Sequence, residues 1–127
     1  MQTNQVYISL SRMHHIISQK KFRRLKMSAE ASNISGWAKA GKPGVLVVQG
    51  QKQNIATFLE RTYRTVQVLR YLEFHHVSTI PLDAGAKLWT WSGLKEAPDM
   101  KFLISNVDVV QQGMKTWFRK EMGMSGS

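Results

Sequence analysis

Apolar side chains in the first 80 residues repeat in turn every second residue and every third or fourth, and this switching restricts the possible folds more than any other feature of the chain. Val6, Ile8 and Leu10 alternate with Tyr7, Ser9 and Ser11, which predicts a strand over about 4–13, because successive strand side chains point to opposite faces. Phe22, Leu25 and Ala29 then fall at i, i+3 and i+7, a narrow apolar stripe of a helix that Ser18 can cap and that ends near Asn33. Strands are expected at 34–39 and 44–50. After Gly50, the spacing of Ile55, Phe58, Leu59, Thr62 and Val66 predicts a second amphipathic helix near 53–66. Residues 68–77 (VLRYLEFHHV) alternate again and are partly apolar on both sides, the pattern of an inner strand.

The order strand, helix, strand, strand, helix, strand predicts an α+β, ferredoxin-like βαββαβ sandwich, in which two helices cover one face of an antiparallel sheet. Pro81, Asp83 and Gly85 then mark a break. Beyond it, Leu88 to Trp91 is read as an edge strand. Pro98 and Asp99 open a helix through Met100, Leu103, Ile104, Val107 and Val110, and Gly113 interrupts it before a last turn or two through Trp117 and Phe118. The 127 residues are read as one domain, with a core over about 4–80, a C-terminal strand and helix extension over about 86–122, and a frayed tail at 123–127.

The stretch Gly36-Trp-Ala-Lys-Ala-Gly41-Lys42 matches the opening of a phosphate-binding P-loop, so the residues after the lysine decide its meaning. A P-loop needs a Ser or Thr there, and then a helix whose N-terminal amides face the phosphates. Pro43 takes the hydroxyl's place, and Gly44, Val45, Leu46, Val47 and Val48 read as a buried strand. The order is loop then strand. The stretch is therefore read as a hairpin turn, with Pro43 fixing φ and Gly41 and Gly44 free to take positive φ.

Charge is the most informative bulk property. Eighteen Lys and Arg against eight Asp and Glu give a net +10. Residues 1–52 hold nine basic side chains and one acid, Glu30, whereas residues 53–127 hold nine basic and seven acidic ones. Such asymmetry points to a polyanionic partner, nucleic acid foremost. The first helix carries Lys20, Lys21, Arg23, Arg24 and Lys26, with Arg12 just before it. Lys20 and Lys21 sit in the first turn, where the helix macrodipole disfavours each cation by a few tenths of a kcal/mol up to about 1 kcal/mol. Like charges three and four residues apart also repel. Phosphate contact accounts for this run better than plain solvation does. Lys39 and Lys42 extend the patch onto the hairpin, and Trp37 between them and the helix is read as a ring able to stack on an unpaired base.

Other chemistries find little support. Trp89, Trp91, Trp117 and Phe118 read as core packing of the C-terminal segment, and no central strand carries the interleaved aromatics of an RRM stacking platform. His14-His15 and His75-His76 are adjacent pairs whose members point apart on a strand, and no carboxylate or cysteine stands at ligand spacing. The carboxylates are scattered, and no Ser occupies a Gly-x-Ser-x-Gly turn. The chain is read as non-enzymatic, with no cofactor and no metal. Without cysteine, without a run of roughly 20 apolar residues and without a basic leader, it is expected to be soluble, intracellular, nuclear or cytoplasmic, and away from membranes.

Three segments carry a resemblance: SRMHHIISQKKFRRLK (11–26), GWAKAGKPGVLVVQG (36–50) and GMKTWFRKEMGM (113–124). In that order and spacing they resemble the domain at the C-terminus of pre-mRNA processing factor three. The same domain follows the RWD domain in the RWD-domain-containing protein two group, and the similarity to that group is the closer one, through the His-His pair, the KPGV turn and the closing Trp-Phe helix. The resemblance covers nearly the whole chain and implies a ferredoxin-like core. In the splicing-factor branch it also implies binding of a base-paired small nuclear RNA and its single-stranded extension. The chain departs from that branch at 83–99, which is short, and no RWD domain stands ahead of the module, so it is expected to be a fragment or a stand-alone version.

Two functional expectations follow. The first is an RNA-binding module for small nuclear or other structured RNA, acting through Arg12, Lys20, Lys21, Arg23, Arg24, Lys26, Trp37, Lys39 and Lys42. The second is a protein-interaction module of an RWD-associated protein with no specific RNA target, whose C-terminal helices dock spliceosomal or other proteins through an apolar patch near Trp117.

Overall fold

In the computed structural model of the chain, which describes residues 5–13, 19–69 and 74–124, the apolar run after the hairpin occupies the middle of a five-stranded sheet. The strands are β1 (Tyr7–Met13), β2 (Ser35–Lys39), β3 (Gly44–Gly50), β4 (Phe74–Pro81) and β5 (Gly93–Ala97), in the order β4-β1-β3-β2-β5. β3 is flanked on both sides, and its Val45, Leu46, Val47 and Val48 are all buried, as a continuous β-branched run predicts. Among the described residues four helices join them: α1 (Gln19–Ala31), α2 (Lys52–Leu69), α3 (Met100–Asp108) and α4 (Met114–Glu121). The fold is α+β, and the order of its first six elements is compatible with a ferredoxin-like sandwich.

Both faces of the sheet are covered. Met13, Ala38, Leu46, Val48 and Leu94 pack under Phe22, Leu25 and Ala29 of α1 and Ile55 and Phe58 of α2. The alternate residues Ile8, Leu10, Trp37, Val45, Val47 and Ala97 pack against Leu103 and Val107 of α3, Val110, and Met114 and Phe118 of α4. Each fully buried Leu, Ile or Phe contributes about 1.5–3 kcal/mol of hydrophobic stabilisation. The two layers therefore hold the sheet comparably. The connection between β4 and β5 is pinned along the second face: Lys87 N–H donates to Val110 O at 2.8 Å, Trp89 N–H to Gln49 Oε1 at 2.9 Å, and Trp91 Nε1–H to Gly36 O at 3.2 Å. Asp99 starts α3 by accepting from Phe102 N–H at 2.8 Å.

Several sequence expectations change. The sheet is mixed rather than antiparallel, because β5 pairs parallel to β2. The expected strand at 68–77 overlaps the end of α2, which runs to Leu69; the strand begins at Phe74 and lies on an edge, where Val77, Ser78 and Ile80 are half-buried. Val68 and Leu69 fit a helical stripe as well as a strand, and no Gly or Pro separates them from Val66. The C-terminal edge strand is Gly93–Ala97, and the stretch 88–91, expected as this strand, is irregular. The single interrupted helix is two helices. Gly41 takes a positive φ of 93°, whereas Gly44 is an ordinary strand residue. Ser18, His14 and His15 lie outside the described residues.

Candidate nucleic-acid interface

The orientation of α1 follows from two contacts. A side chain added at Gly93 would stand 2.6 Å from Glu30 Cγ, so the last turn of α1 lies against the start of β5. Arg61 Nη1 donates to Ser32 Oγ at 3.4 Å, so the opposite flank meets α2. With the buried stripe down and 100° between residues, Lys20, Arg24 and Met27 point away from the sheet, while Arg23 and Lys26 stand on the β5 flank beside Glu30. Lys20, Arg23, Arg24 and Lys26 are exposed, and Met27 between them is 64% exposed. Lys21 belongs to the same helix; its side chain lies outside what the structure describes. Lys26 Nζ rests 5.3 Å from the centroid of the Phe22 ring. Among the described residues, none of the exposed α1 cations forms an ion pair.

The hairpin cations gather at the end of the sheet towards which the N-terminus of α1 points. β1 ends there at Met13, β2 at Lys39 and β5 at Ala97, and β3 begins there at Gly44. Arg12 and Lys39 both stand opposite Val45, on the α3/α4 face, with His75 across from Arg12 on the other side. Arg12 and Lys42 are exposed. Lys39 is half-buried, and its Nζ donates to the carbonyls of Ala40 and Pro43 at 3.0 Å each, so it holds the turn. The basic residues thus form two groups that meet at one end of the molecule: the α1 cations on one side of the sheet, and Arg12 and Lys42 on the rim of the other.

Trp37 requires a correction. It is 8% exposed, and its ring meets the rings of Trp91 and Phe102 edge-on at 5.1 Å and 5.0 Å, so neither face is open to a base. Its strand position explains this: Trp37 shares a face with Val45 and Val47, and the C-terminal helices bury that face. The ring near the surface is Phe102, 38% exposed above it. Trp117 is half-buried and donates from Nε1 to Ser78 Oγ at 3.2 Å, so its ring packs on the sheet.

Charge separates by layer. α1 and α2 together carry Lys20, Lys21, Arg23, Arg24, Lys26, Lys52, Arg61 and Arg64 against Glu30 and Glu60; the span of α3 and α4 carries Lys101, Lys115, Arg119 and Lys120 against Asp108 and Glu121. Sequence reading missed Arg61 and Arg64. The α2 stripe Ile55, Phe58 and Thr62 would have placed Arg61 on its α1 flank. Arg64 is paired with Glu60 at 2.7 Å.

Among the described residues no group of three or more His, Cys, Asp or Glu is placed to hold a metal ion. His76 Nε2 lies 2.6 Å from Thr79 Oγ1, which donates to Ser9 Oγ at 2.9 Å, a polar chain linking β4 to β1. Among the described residues no helix is long and apolar enough to cross a membrane.

No family model matches the chain, and no curated protein matches it. Among solved structures, a bacterial light-regulated adenylyl cyclase is similar over 93% of this chain at 12% identity and a TM-score of 0.43, a likeness too weak to carry an argument. The chain spans about a third of that structure, 34%.

Proposed function

We propose that the chain is a non-catalytic RNA-binding module for structured RNA, small nuclear RNA included, and that α1 and the hairpin end meet the sugar-phosphate backbone. The reading includes a ferredoxin-like core with a C-terminal helical extension, membership of the processing-factor-three type of domain, and an intracellular, nuclear setting. The observation that carries it is the row of exposed cations on α1, which have no ion-pair partners among the described residues and stand against both the helix dipole and their mutual repulsion. The covered sheet supports a backbone contact rather than base stacking on strands, because α3 and α4 occupy the face an RRM would use.

The test is a salt titration of binding to duplex RNA with a 3′ overhang, comparing the chain with a folded Lys20→Glu, Lys21→Glu, Arg23→Glu, Arg24→Glu variant. Each phosphate contact contributes roughly 0.7–0.9 to the slope of log K against log salt. The variant's slope is expected to be shallower by about 3. Equal slopes and affinities would remove α1 from the interface.

A further inference from the structure

The two edges of the sheet are built differently. β4 carries a bulge where its pairing with β1 steps from Leu10↔Ser78 to Ser11↔His76, and it ends on Pro81. Bulges and prolines are common means by which an edge strand refuses further partners. β5 has neither: its five residues pair in unbroken register with β2, from Ser35↔Gly93 to Lys39↔Ala97. Gly93 N–H donates to Ile34 O at 2.7 Å, so Gly93, Lys95 and Ala97 direct their backbone groups towards β2. By alternation, Leu94 and Glu96 turn theirs outward. Among the described residues β5 pairs with β2 alone. Lys95, a residue type that blunts edges, is drawn over the Trp91 ring with Nζ 4.2 Å from its centroid.

α1 overhangs this edge. Glu30 lies against Gly93, and Lys26 and Arg23 follow on the same flank, one and two turns towards the N-terminus. From Glu30 to Arg23 the helix rises roughly 10 Å, about the length of three strand residues. The two exposed cations therefore run alongside Leu94 to Glu96.

We propose that the outer edge of β5 is a docking strand for an extended acidic segment of a partner protein. The segment adds as a sixth strand, hydrogen-bonding the outward N–H and C=O groups of Leu94 and Glu96 and setting carboxylates beside Arg23 and Lys26. A second copy of this chain does not fit the edge. Symmetric pairing of two β5 strands brings two α1 helices side by side, each with the same cations, and like charges so placed repel.

The experiment uses the whole chain with an acetylated ten-residue peptide of alternating Glu and Thr, its Lys-Thr counterpart, and duplex RNA as a competing occupant. Amide hydrogen exchange is read residue by residue, and affinity by fluorescence anisotropy. The Glu-Thr peptide is expected to slow exchange at Leu94 and Glu96 by about tenfold or more, and Arg23→Glu with Lys26→Glu to weaken it by at least about tenfold, as expected when main-chain pairing and charge act together. Glu96→Pro, which removes an outward donor and leaves the β2 pairing groups in place, abolishes the slowing at Leu94 while the circular dichroism stays native. Unchanged exchange at Leu94 and Glu96 with saturating peptide overturns the proposal, as does equal binding of the Lys-Thr peptide. Slowing at both amides by duplex RNA but not by the peptide would assign the edge to nucleic acid and likewise overturn it.

Discussion

Gly36 shows how tightly one position is set. It sits in β2 against β3, and a Cβ there would overlap the Val47 carbonyl oxygen and stand 2.8 Å from Val48 Cα, both backbone atoms that cannot swing aside. Gly36→Ala is expected to destabilise the chain by several kcal/mol, roughly the cost of forcing apart a packed core, read as a lowered midpoint in urea. Asp99 tests a smaller effect of another kind. It caps α3, and Asp99→Ala should cost about 1 kcal/mol, while Asp99→Asn or Asp99→Ser should recover most of it. The residue scale is also where sequence reading of the site met its limit. A run of cations on one helix is visible as letters, because the letters alone reveal that no opposite charge interleaves. The burial of Trp37 is not, since it depends on Phe102 and Trp91, more than 50 positions away. Lys39 was legible as a cation of the hairpin but not as the donor that closes it.

At the scale of elements, periodicity placed β1, α1 and α2 closely, because each carries a repeat that distinguishes 2 from 3.6, and the turn residues between two short runs placed β2 and β3. It failed where α2 passes into β4, since Val66, Val68 and Leu69 satisfy both repeats and the chain holds no breaker there. It failed again after Gly85, where Leu88 to Trp91 is largely apolar without being a strand: its backbone hydrogen-bonds to the side chains of Gln49 and Ser35, and the short Gly93–Ala97 takes the edge. The C-terminal elements, whose aromatics are read from the sequence as core packing, supply half of the sheet's cover. Phe118 is fully buried beneath them. Phe118→Ala is expected to cost about 3–5 kcal/mol, a loss in the range of a core residue, measurable by urea unfolding. A loss below about 1 kcal/mol would mean that α4 is held only loosely against the sheet.

For the molecule as a whole, the uneven layers matter more than the total charge. One helical layer carries most of the excess of cations and the other a smaller one, so the chain presents a strongly positive side and a more mixed side. Reversing Arg12 and Lys42 on the rim should weaken RNA binding less than reversing the four α1 cations, because the rim pair removes about two phosphate contacts against about four. Anisotropy titrations at matched salt check the order, and a reversed order would move the centre of the interface from helix to hairpin. The double cover of the sheet has a consequence for biosynthesis. Until the segment from Met100 onward has left the ribosome, Ile8, Leu10, Val45 and Val47 lack the cover of α3 and α4, so the nascent polypeptide emerges with much of one greasy side bare.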